Sequence, residues 1–246
     1  MNSPVDLYSL KARIFPAFLL FFPLALAVTA WAPEAKFPAM ALFGISGNCV
    51  LSFFVAERVR DRGKAKEPKL WESWGGPPTT QLIRHRNPDV SSYMRNGWRQ
   101  SLEMLIGGTL PLAASESKAP EKADQAYEAA IYRLRERTRE VDKHRLVFKE
   151  NVSYGFRRNL WALKPSGIVL AITGTLACAT KIVLANFSSD WVIEPHAVVS
   201  LVASVMLLVW WLLVITKSWV RTAAFEYAKR LLGASFMLAD SKAEKR

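Results

Sequence analysis

The stretch from Trp71 to Asn87, WESWGGPPTTQLIRHRN, concentrates residue types that bind phosphate and aromatic groups. Guanidinium and imidazole groups donate hydrogen bonds to phosphate, and tryptophan rings are flat faces on which a base can stack. A glycine pair lets backbone amides approach a ligand, and a threonine cap would direct the positive end of a short helix, Gln81–His85, towards an anion. The residues concerned are Trp71, Trp74, Gly75, Gly76, Thr79, Thr80, Arg84, His85 and Arg86. The stretch therefore predicts a site for a nucleotide or short oligonucleotide, unless the tryptophans form the core of a small domain and Pro-Pro only shapes a turn.

Two more arginines, Arg157 and Arg158, precede the third apolar run in NVSYGFRRNLWALKP (151–165). They are candidates for the same phosphate site, because guanidinium groups bind phosphate in a planar, bidentate manner. The alternative is an anchor at the lipid headgroups, with Trp161 as an interfacial ring. The sequence supports both interpretations.

No catalytic signature is present in the chain. There is no phosphate loop, nucleophile elbow or zincin pair, and the three histidines are scattered rather than spaced as ligands. Acidic residues fall mostly on segments expected to be helical, where we expect them to be solvated or paired at i, i+4. We therefore predict no enzyme activity, no cofactor and no metal site. A membrane-bound enzyme acting on a phosphorylated or lipid substrate stays as a third alternative.

The elements that must position these residues follow from hydropathy. The chain is 51% hydrophobic yet carries a formal net charge of +12, and its apolar residues are gathered into runs. Each run is close to the roughly 20 residues that cross a bilayer as a helix. The runs are 14–31, 37–56, 167–187 and 197–216. They predict an all-α membrane protein with four transmembrane helices arranged as two hairpins.

The first run also resembles a signal peptide, since Lys11 and Arg13 precede it and Ala30-Trp31-Ala32 resembles a cleavage site. We reject this interpretation, because Pro33 would follow the cut directly and a second apolar run begins four residues later. Both cysteines, Cys49 and Cys178, lie inside predicted spans, so no disulfide framework is expected.

Lys and Arg are concentrated between the hairpins and after the second one, whereas both hairpin loops carry few. The positive-inside rule then places both termini in the cytoplasm, as expected of an inner membrane protein. The predicted domains are 1–56 (N-terminal hairpin), 57–165 (cytoplasmic helical domain), 166–216 (C-terminal hairpin) and 217–246 (cytoplasmic C-terminal helix and tail). The same rule explains most of the net charge without a nucleic-acid ligand.

Within the cytoplasmic domain the sequence predicts further helices. A charged stem leaves the second span and ends near Pro68, and Asn87-Pro88-Asp89 is typical of the start of a helix that ends at Gly107-Gly108. The segment from Thr109 to Pro120 is predicted to be a loop. The segment 121–152 has imperfect heptad spacing, which fits either an amphipathic helix on its own domain or a coiled-coil seam.

The spans contain a few polar residues that bear on conduction. Lys181 is charged at membrane depth. It lies near enough to the end of its helix for its ammonium group to extend to the interface. Alternatively, Lys181 takes part in a pore or gate. Asn48, Thr173 and Thr180 are small polar residues that fit tight helix packing or a water-lined path. Four helices per chain enclose little space, so a pore requires a homo-oligomer.

Short apolar spans attached to a small basic cytoplasmic domain, together with the motif from Trp71 to Arg86, resemble membrane effectors of bacterial anti-phage defence, of the Hailong type. The resemblance implies an ion channel controlled by a nucleotide or short DNA oligomer, a nucleotidyltransferase partner that makes this signal, and loss of membrane potential on activation. No residue is assigned to a ligand site by this resemblance.

The expected function is therefore an oligomeric membrane effector or ion channel in the lipid bilayer, gated through its cytoplasmic domain by a nucleotide or single-stranded DNA (ssDNA) oligomer. The alternative is a non-conducting membrane scaffold that recruits a cytosolic partner through its long helix.

Overall fold

The structure, a computed structural model, describes residues 7–187 and 194–243. Within these ranges the chain is helical and contains no strand. A short helical lead, Leu7–Ser9 and a π-helical stretch Leu10–Ile14, runs into the first long helix. The helices are α1 (Phe15–Ala30), α2 (Phe37–Trp74), α3 (Pro78–Ile83), α4 (Ser92–Ile106), α5 (Ala113–Lys118), α6 (Pro120–Arg137), α7 (Arg145–Asn186), α8 (Pro195–Leu213) and α9 (Lys217–Ala243).

Four helical segments are long and apolar enough to cross a membrane, which confirms the four predicted spans as helices. The predicted second hairpin loop, 188–196, lies partly outside the described residues. The segments are Leu10–Ala30, Phe37–Ile83, Arg145–Ala185 and Pro195–Leu213. Length and composition thus define a multi-pass α-helical membrane protein.

The chain divides into two compact units. The first unit comprises the chain up to Glu67 together with Gly155–Val220, and its core contains Trp211, Leu160 and Ile215. Small residues bring its helices together: a Cβ on Gly174 of α7 would lie 2.6 Å from the backbone oxygen of Pro23 in α1. Such close backbone approach is typical of helix pairs in membranes.

Large apolar side chains of the first unit remain exposed on α2, α7 and α8. Examples are Phe43 at 70% and Phe54 at 75% on α2, and Leu213 at 71% on α8. Since such exposure is costly in water, these faces agree with the composition of the spans.

The second unit comprises Pro68–Tyr154 and the chain from Arg221 onwards. Its core joins α4, α6 and α9 through Trp98, Leu102, Tyr127, Leu134 and Leu231, all buried. On α6 the buried positions 123, 127, 130, 131 and 134 follow the helical period and form one stripe.

Several predicted boundaries are wrong, for local reasons. The helix expected at Asn87-Pro88-Asp89 begins only at Ser92, because the Asn87 side chain receives the N–H of Asp89 and bonds to the Gln81 oxygen. This local turn competes with helix formation. The end at Gly107, with φ +68°, is confirmed.

The long helix predicted over 121–152 is interrupted. α6 ends at Arg137 and α7 begins at Arg145, so there is no continuous heptad seam. The Thr138 N–H and hydroxyl both bond to the Leu134 and Arg135 oxygens, which closes the last turn of α6. The stem does not end near Pro68, because α2 continues through this proline to Trp74. The segment 109–120, predicted to be a loop, contains α5.

Candidate functional site

The glycine pair after α2 forms the first part of the predicted site. Gly75 and Gly76 have φ angles of +87° and +120°, a region that favours glycine. The Gly75 N–H bonds to the Glu72 oxygen and the Gly76 N–H to the Trp71 oxygen at 2.7 Å. The pair therefore ends α2 and turns the chain into α3.

The sequence predicted that Thr79 or Thr80 caps a helix beginning at Gln81, and this prediction is wrong. α3 runs from Pro78 to Ile83 with Pro77 at its N-cap, so Thr79 and Thr80 lie inside it and are buried. Proline at the first position favours this earlier start. The Thr80 hydroxyl has no hydrogen-bond partner among the described residues.

Arg84 is held by a carboxylate of α6. Its Nε and Nη2 donate to the two oxygens of Asp124 at 2.9 and 2.8 Å, and its Nη1 donates to the Gly75 oxygen at 2.6 Å. This bidentate pair is strong and directional. Arg84 therefore ties the glycine turn to α6 in the present arrangement.

Arg86 shares the same carboxylate and reaches a second one. Its Nη2 lies 2.7 Å from Asp124 Oδ2, and its Nη1 lies 3.0 Å from Glu116 Oε1. The Arg86 side chain is 38% exposed, whereas Arg84 is 13% exposed. Of the two arginines, Arg86 is the one that an external anion can approach.

Glu116 is the centre of this network and is 1% exposed. It accepts the backbone N–H groups of His85 and Arg86 at 2.9 and 3.0 Å, and the Tyr127 hydroxyl at 2.6 Å. Burial alone raises the pKa of Glu116, but the hydrogen bonds from Tyr127, His85 and Arg86 outweigh burial and lower its pKa to about 2. Glu116 is therefore a buried carboxylate at neutral pH.

Tyr127 and Arg99 close the network on its inner side. Burial, and then the hydrogen bond to Glu116, raise the pKa of Tyr127 to about 12. The buried Arg99 guanidinium lies 5.2 Å from the Tyr127 ring centroid and donates to the Ile83 and Pro111 oxygens. The Glu116 carboxylate, the Tyr127 hydroxyl and the Arg99 guanidinium thus have internal partners, which is typical of a network that specifies one packing arrangement.

His85 differs from its arginine neighbours. Burial, and then the charge of Arg99, lower the pKa of His85 below its ordinary value. The imidazole is therefore neutral at pH 7, and its Nε2 is buried without a partner among the described residues. It does not add a positive charge to a phosphate site.

The two tryptophans of the motif are half-buried. The Trp71 indole N–H donates to the Tyr154 hydroxyl at 3.2 Å, and the Tyr154 ring stacks on Tyr227 with centroids 6.3 Å apart. Trp71 therefore belongs to an aromatic group of the second unit, and each tryptophan keeps part of its surface accessible.

Arg157 and Arg158 lie in the first unit, separate from the motif. Arg157 donates to the Trp219 oxygen at 2.9 Å and covers the Trp219 ring at 4.8 Å. Arg158 is buried and forms an ion pair with Glu67 at 2.8 Å. Both guanidinium groups thus have partners inside the first unit.

Two of the four predicted pore or gate residues, Asn48 and Lys181, have polar partners within the first unit. Asn48 is buried and donates to the Phe18 oxygen, so it joins α2 to α1. Lys181 lies 3.5 Å from Glu194, whose carboxylate is 3.4 Å from His196 Nε2. Lys181 therefore has an acidic partner at the end of its helix, and its charge is compensated there.

Thr173 and Thr180 lie on an exposed stripe of α7. The stripe follows spacings of four and three residues, as in a heptad seam, and Val169, Leu176 and Val183 in it are 61%, 61% and 51% exposed. We call these five residues the α7 stripe: Val169, Thr173, Leu176, Thr180 and Val183. It combines hydroxyl groups with apolar side chains on one open face.

Four residues of the network were not predicted from the sequence: Arg99, Glu116, Asp124 and Tyr127. The acids of the predicted stem and long helix were expected to be solvated or paired at i, i+4, which is wrong for Asp124, because its arginine partners are 38 and 40 residues away. Glu116 lies in the predicted loop, and its partner Arg86 is 30 residues away. Glu67, which pairs with Arg158 across 91 residues, is a further exception. Nothing in the local spacing indicates such long-range pairs.

Together these features define a multi-pass α-helical membrane protein with a second helical unit that contains a buried carboxylate–arginine network. Comparison with models of known families, with curated proteins and with solved structures finds no match.

Proposed function

We propose that the protein is a homo-oligomeric membrane effector that conducts ions, in the bacterial inner membrane, with two hairpins and both termini in the cytoplasm. Its second unit is the cytoplasmic domain. A nucleotide or ssDNA oligomer made by a nucleotidyltransferase partner controls it, and activation collapses the membrane potential during phage infection.

The α7 stripe is the observation that carries the proposal. A lipid-facing surface needs only apolar side chains, and α8 presents such a surface. The α7 stripe instead places two hydroxyl groups seven residues apart on an exposed face. In a ring of copies, α7 would face the axis and these hydroxyls would line the path of ions. The buried Asn48 contributes to helix packing instead.

The ligand would act at the motif from Trp71 to Arg86. Arg86 is partly exposed and shares Asp124 with Arg84. A phosphate group is an alternative partner for Arg86 in place of Asp124, and Trp71 and Trp74 of the same stretch are only half-buried, so their rings keep surface on which a base could stack. Exchange of Asp124 for phosphate at Arg86 would remove one of the two arginine partners of Asp124, while Arg84 keeps the other contact, and would couple ligand binding to α6.

Cysteine accessibility in planar bilayers tests conduction. We expect currents from reconstituted protein, blocked by a charged methanethiosulfonate in Thr173→Cys and Thr180→Cys. Native Cys49, exposed on α2, is the internal control. It should not react, because α2 would face lipid in the proposed ring. Absence of current under every ligand condition, or a block only through Cys49, would refute the proposal. A monomeric mass measured by light scattering in detergent would also refute conduction, because a pore requires several copies of the chain.

Salt-dependent binding of short ssDNA tests the ligand. Arg86→Ala should weaken binding about tenfold through loss of a charge-assisted contact, and should flatten the dependence on salt concentration. Arg221→Ala, at an exposed position of α9, is the control of equal charge. Equal effects of both variants would show that only net charge matters.

The scaffold alternative is favoured by one observation: Arg84, Arg86 and Glu116 are already paired inside the unit. The outer face of α6, where Tyr132 is 64% exposed, would then contact a cytosolic partner. Copurification of a stoichiometric partner that is lost in Tyr132→Glu, with no current, would support this alternative over a channel.

A further inference from the structure

A groove opens on the second unit between α4 and α9, and Leu82 of α3 also lines it. Its volume is about 480 Å³, within the range of pockets that bind small molecules. Apolar and aromatic side chains form much of its wall: Leu82, Val90, Met94, Trp98 and Phe236. This wall suits a ligand with a flat apolar body.

Two donors at the groove lack partners among the described residues. Trp98 is 6% exposed, and its indole N–H is buried without a hydrogen-bond acceptor. Such an unpaired buried donor is costly and calls for an explanation. Arg230 lines the same groove, is exposed, and forms no hydrogen bond or ion pair in the part of the chain that the structure describes.

The charges around the groove limit the charge of its ligand. Lys229 is paired with Glu226 at 2.9 Å, so these two groups compensate each other. Asp89 also lines the groove and would repel a second negative charge. Among the described residues that line the groove, Arg230 is therefore the cation available for a negative group.

We infer that this groove is a binding site for a small aromatic monoanion, whose ring packs on Trp98 and Phe236 and whose negative group binds Arg230. The site is independent of the proposed channel activity, and it contains none of the tryptophan, glycine, threonine, arginine or histidine residues proposed for the ligand site between Trp71 and Arg86.

Gly233 provides a sharp test, because it lines the groove and a Cβ built there meets no atom within 4 Å. Gly233→Leu therefore fills the groove without a clash and replaces a glycine within α9 by a better helix former. The probe is 8-anilino-1-naphthalenesulfonate, a fluorescent aromatic monoanion, added to full-length protein in nanodiscs, with the signal of empty nanodiscs subtracted.

We expect saturable fluorescence from the wild type, loss of most of it in Gly233→Leu, and about tenfold weaker binding in Arg230→Gln. Gly108→Leu, which adds the same side chain at an open surface position, and Arg221→Gln, which removes the same charge from α9, should bind as the wild type does. The neutral analogue N-phenyl-1-naphthylamine should be insensitive to Arg230→Gln, and naphthalene-1,5-disulfonate should bind more weakly.

Thermal unfolding of each variant accompanies the titration. Gly233→Leu should unfold at or above the wild-type temperature, and a lower temperature would show that the space is not open and overturn the inference. Equal probe binding in Gly233→Leu and wild type, or equal losses in Arg230→Gln and Arg221→Gln, would overturn it as well.

Discussion

Replacement of Glu116 by glutamine tests the network at its centre. The carboxylate is 1% exposed and its pKa is lowered from 4.5 to about 2 by the groups that donate to it. A shift of that size corresponds to roughly 3 kcal/mol of unfolding free energy above pH 4.5. Glutamine removes this charge. Its amide N–H₂ is itself a donor, so it cannot accept the hydrogen bonds that the carboxylate oxygens accepted.

The sign of the pH dependence follows from the direction of the shift. A carboxyl group whose pKa is lower in the folded state stabilises the fold above its unfolded pKa, and this contribution is lost as the pH falls towards about 2. The difference between wild type and Glu116→Gln should therefore be largest at pH 5–7. It should shrink steadily below about pH 4.5.

Thermal unfolding of the full chain in detergent, followed by tryptophan fluorescence from pH 7 to pH 2.5, measures this difference. We expect Tm to fall by about 6–12 °C in Glu116→Gln at pH 7, from roughly 2–4 °C per kcal/mol for a chain of this size. Glu128→Gln, at an exposed position of α6, should change Tm by at most about 1–2 °C. A Glu116→Gln variant with wild-type Tm at pH 7, or a difference that is constant down to pH 2.5, would refute the assigned role of Glu116.

Two pairs of glycine substitutions test the backbone constraints. Gly76→Ala should lower the unfolding free energy by about 2–3 kcal/mol, because φ is +120° and the new Cβ would lie 2.6 Å from Arg84 Nη2. Gly75→Ala should lower it by only about 1 kcal/mol, because φ is +87° but the new Cβ meets no atom within 4 Å. Denaturant titration that ranks the two in the opposite order would contradict the assigned turn. Gly174→Ala should cost about 1–3 kcal/mol in thermal unfolding, because α7 must move away from the Pro23 oxygen. Gly47→Ala, with nothing within 4 Å, should be neutral or stabilising, and equal effects of the two would exclude close packing of α7 on α1.

The sequence correctly predicted features that depend on local composition. Long uncharged runs cannot satisfy their backbone in a bilayer except as helices, so the spans and the all-α class followed directly from hydropathy. The helix end at Gly107 was also predictable, because glycine is the usual residue at a left-handed helix terminus.

Predictions that depended on competing local interactions were less accurate. Asn87 was expected to cap a helix, but its side chain forms a turn with Asp89 and Gln81 instead. The heptad pattern through Thr138 was continuous enough to suggest a single helix, yet Thr138 bonds to the preceding carbonyls and ends it. Both residue types have side chains that compete with the backbone, and the sequence does not show which partner they choose.

The sequence by itself determined that this chain crosses a membrane and that arginine, tryptophan and glycine gather between Trp71 and Arg86. Only the tertiary structure decided what those arginines contact, because Asp124 and Glu116 are brought to them by the packing of α5 and α6 against the motif. The same holds for the α4–α9 groove and the α7 stripe. Helical periodicity defines which residues share a face, but whether that face is buried depends on neighbours that are distant in the chain.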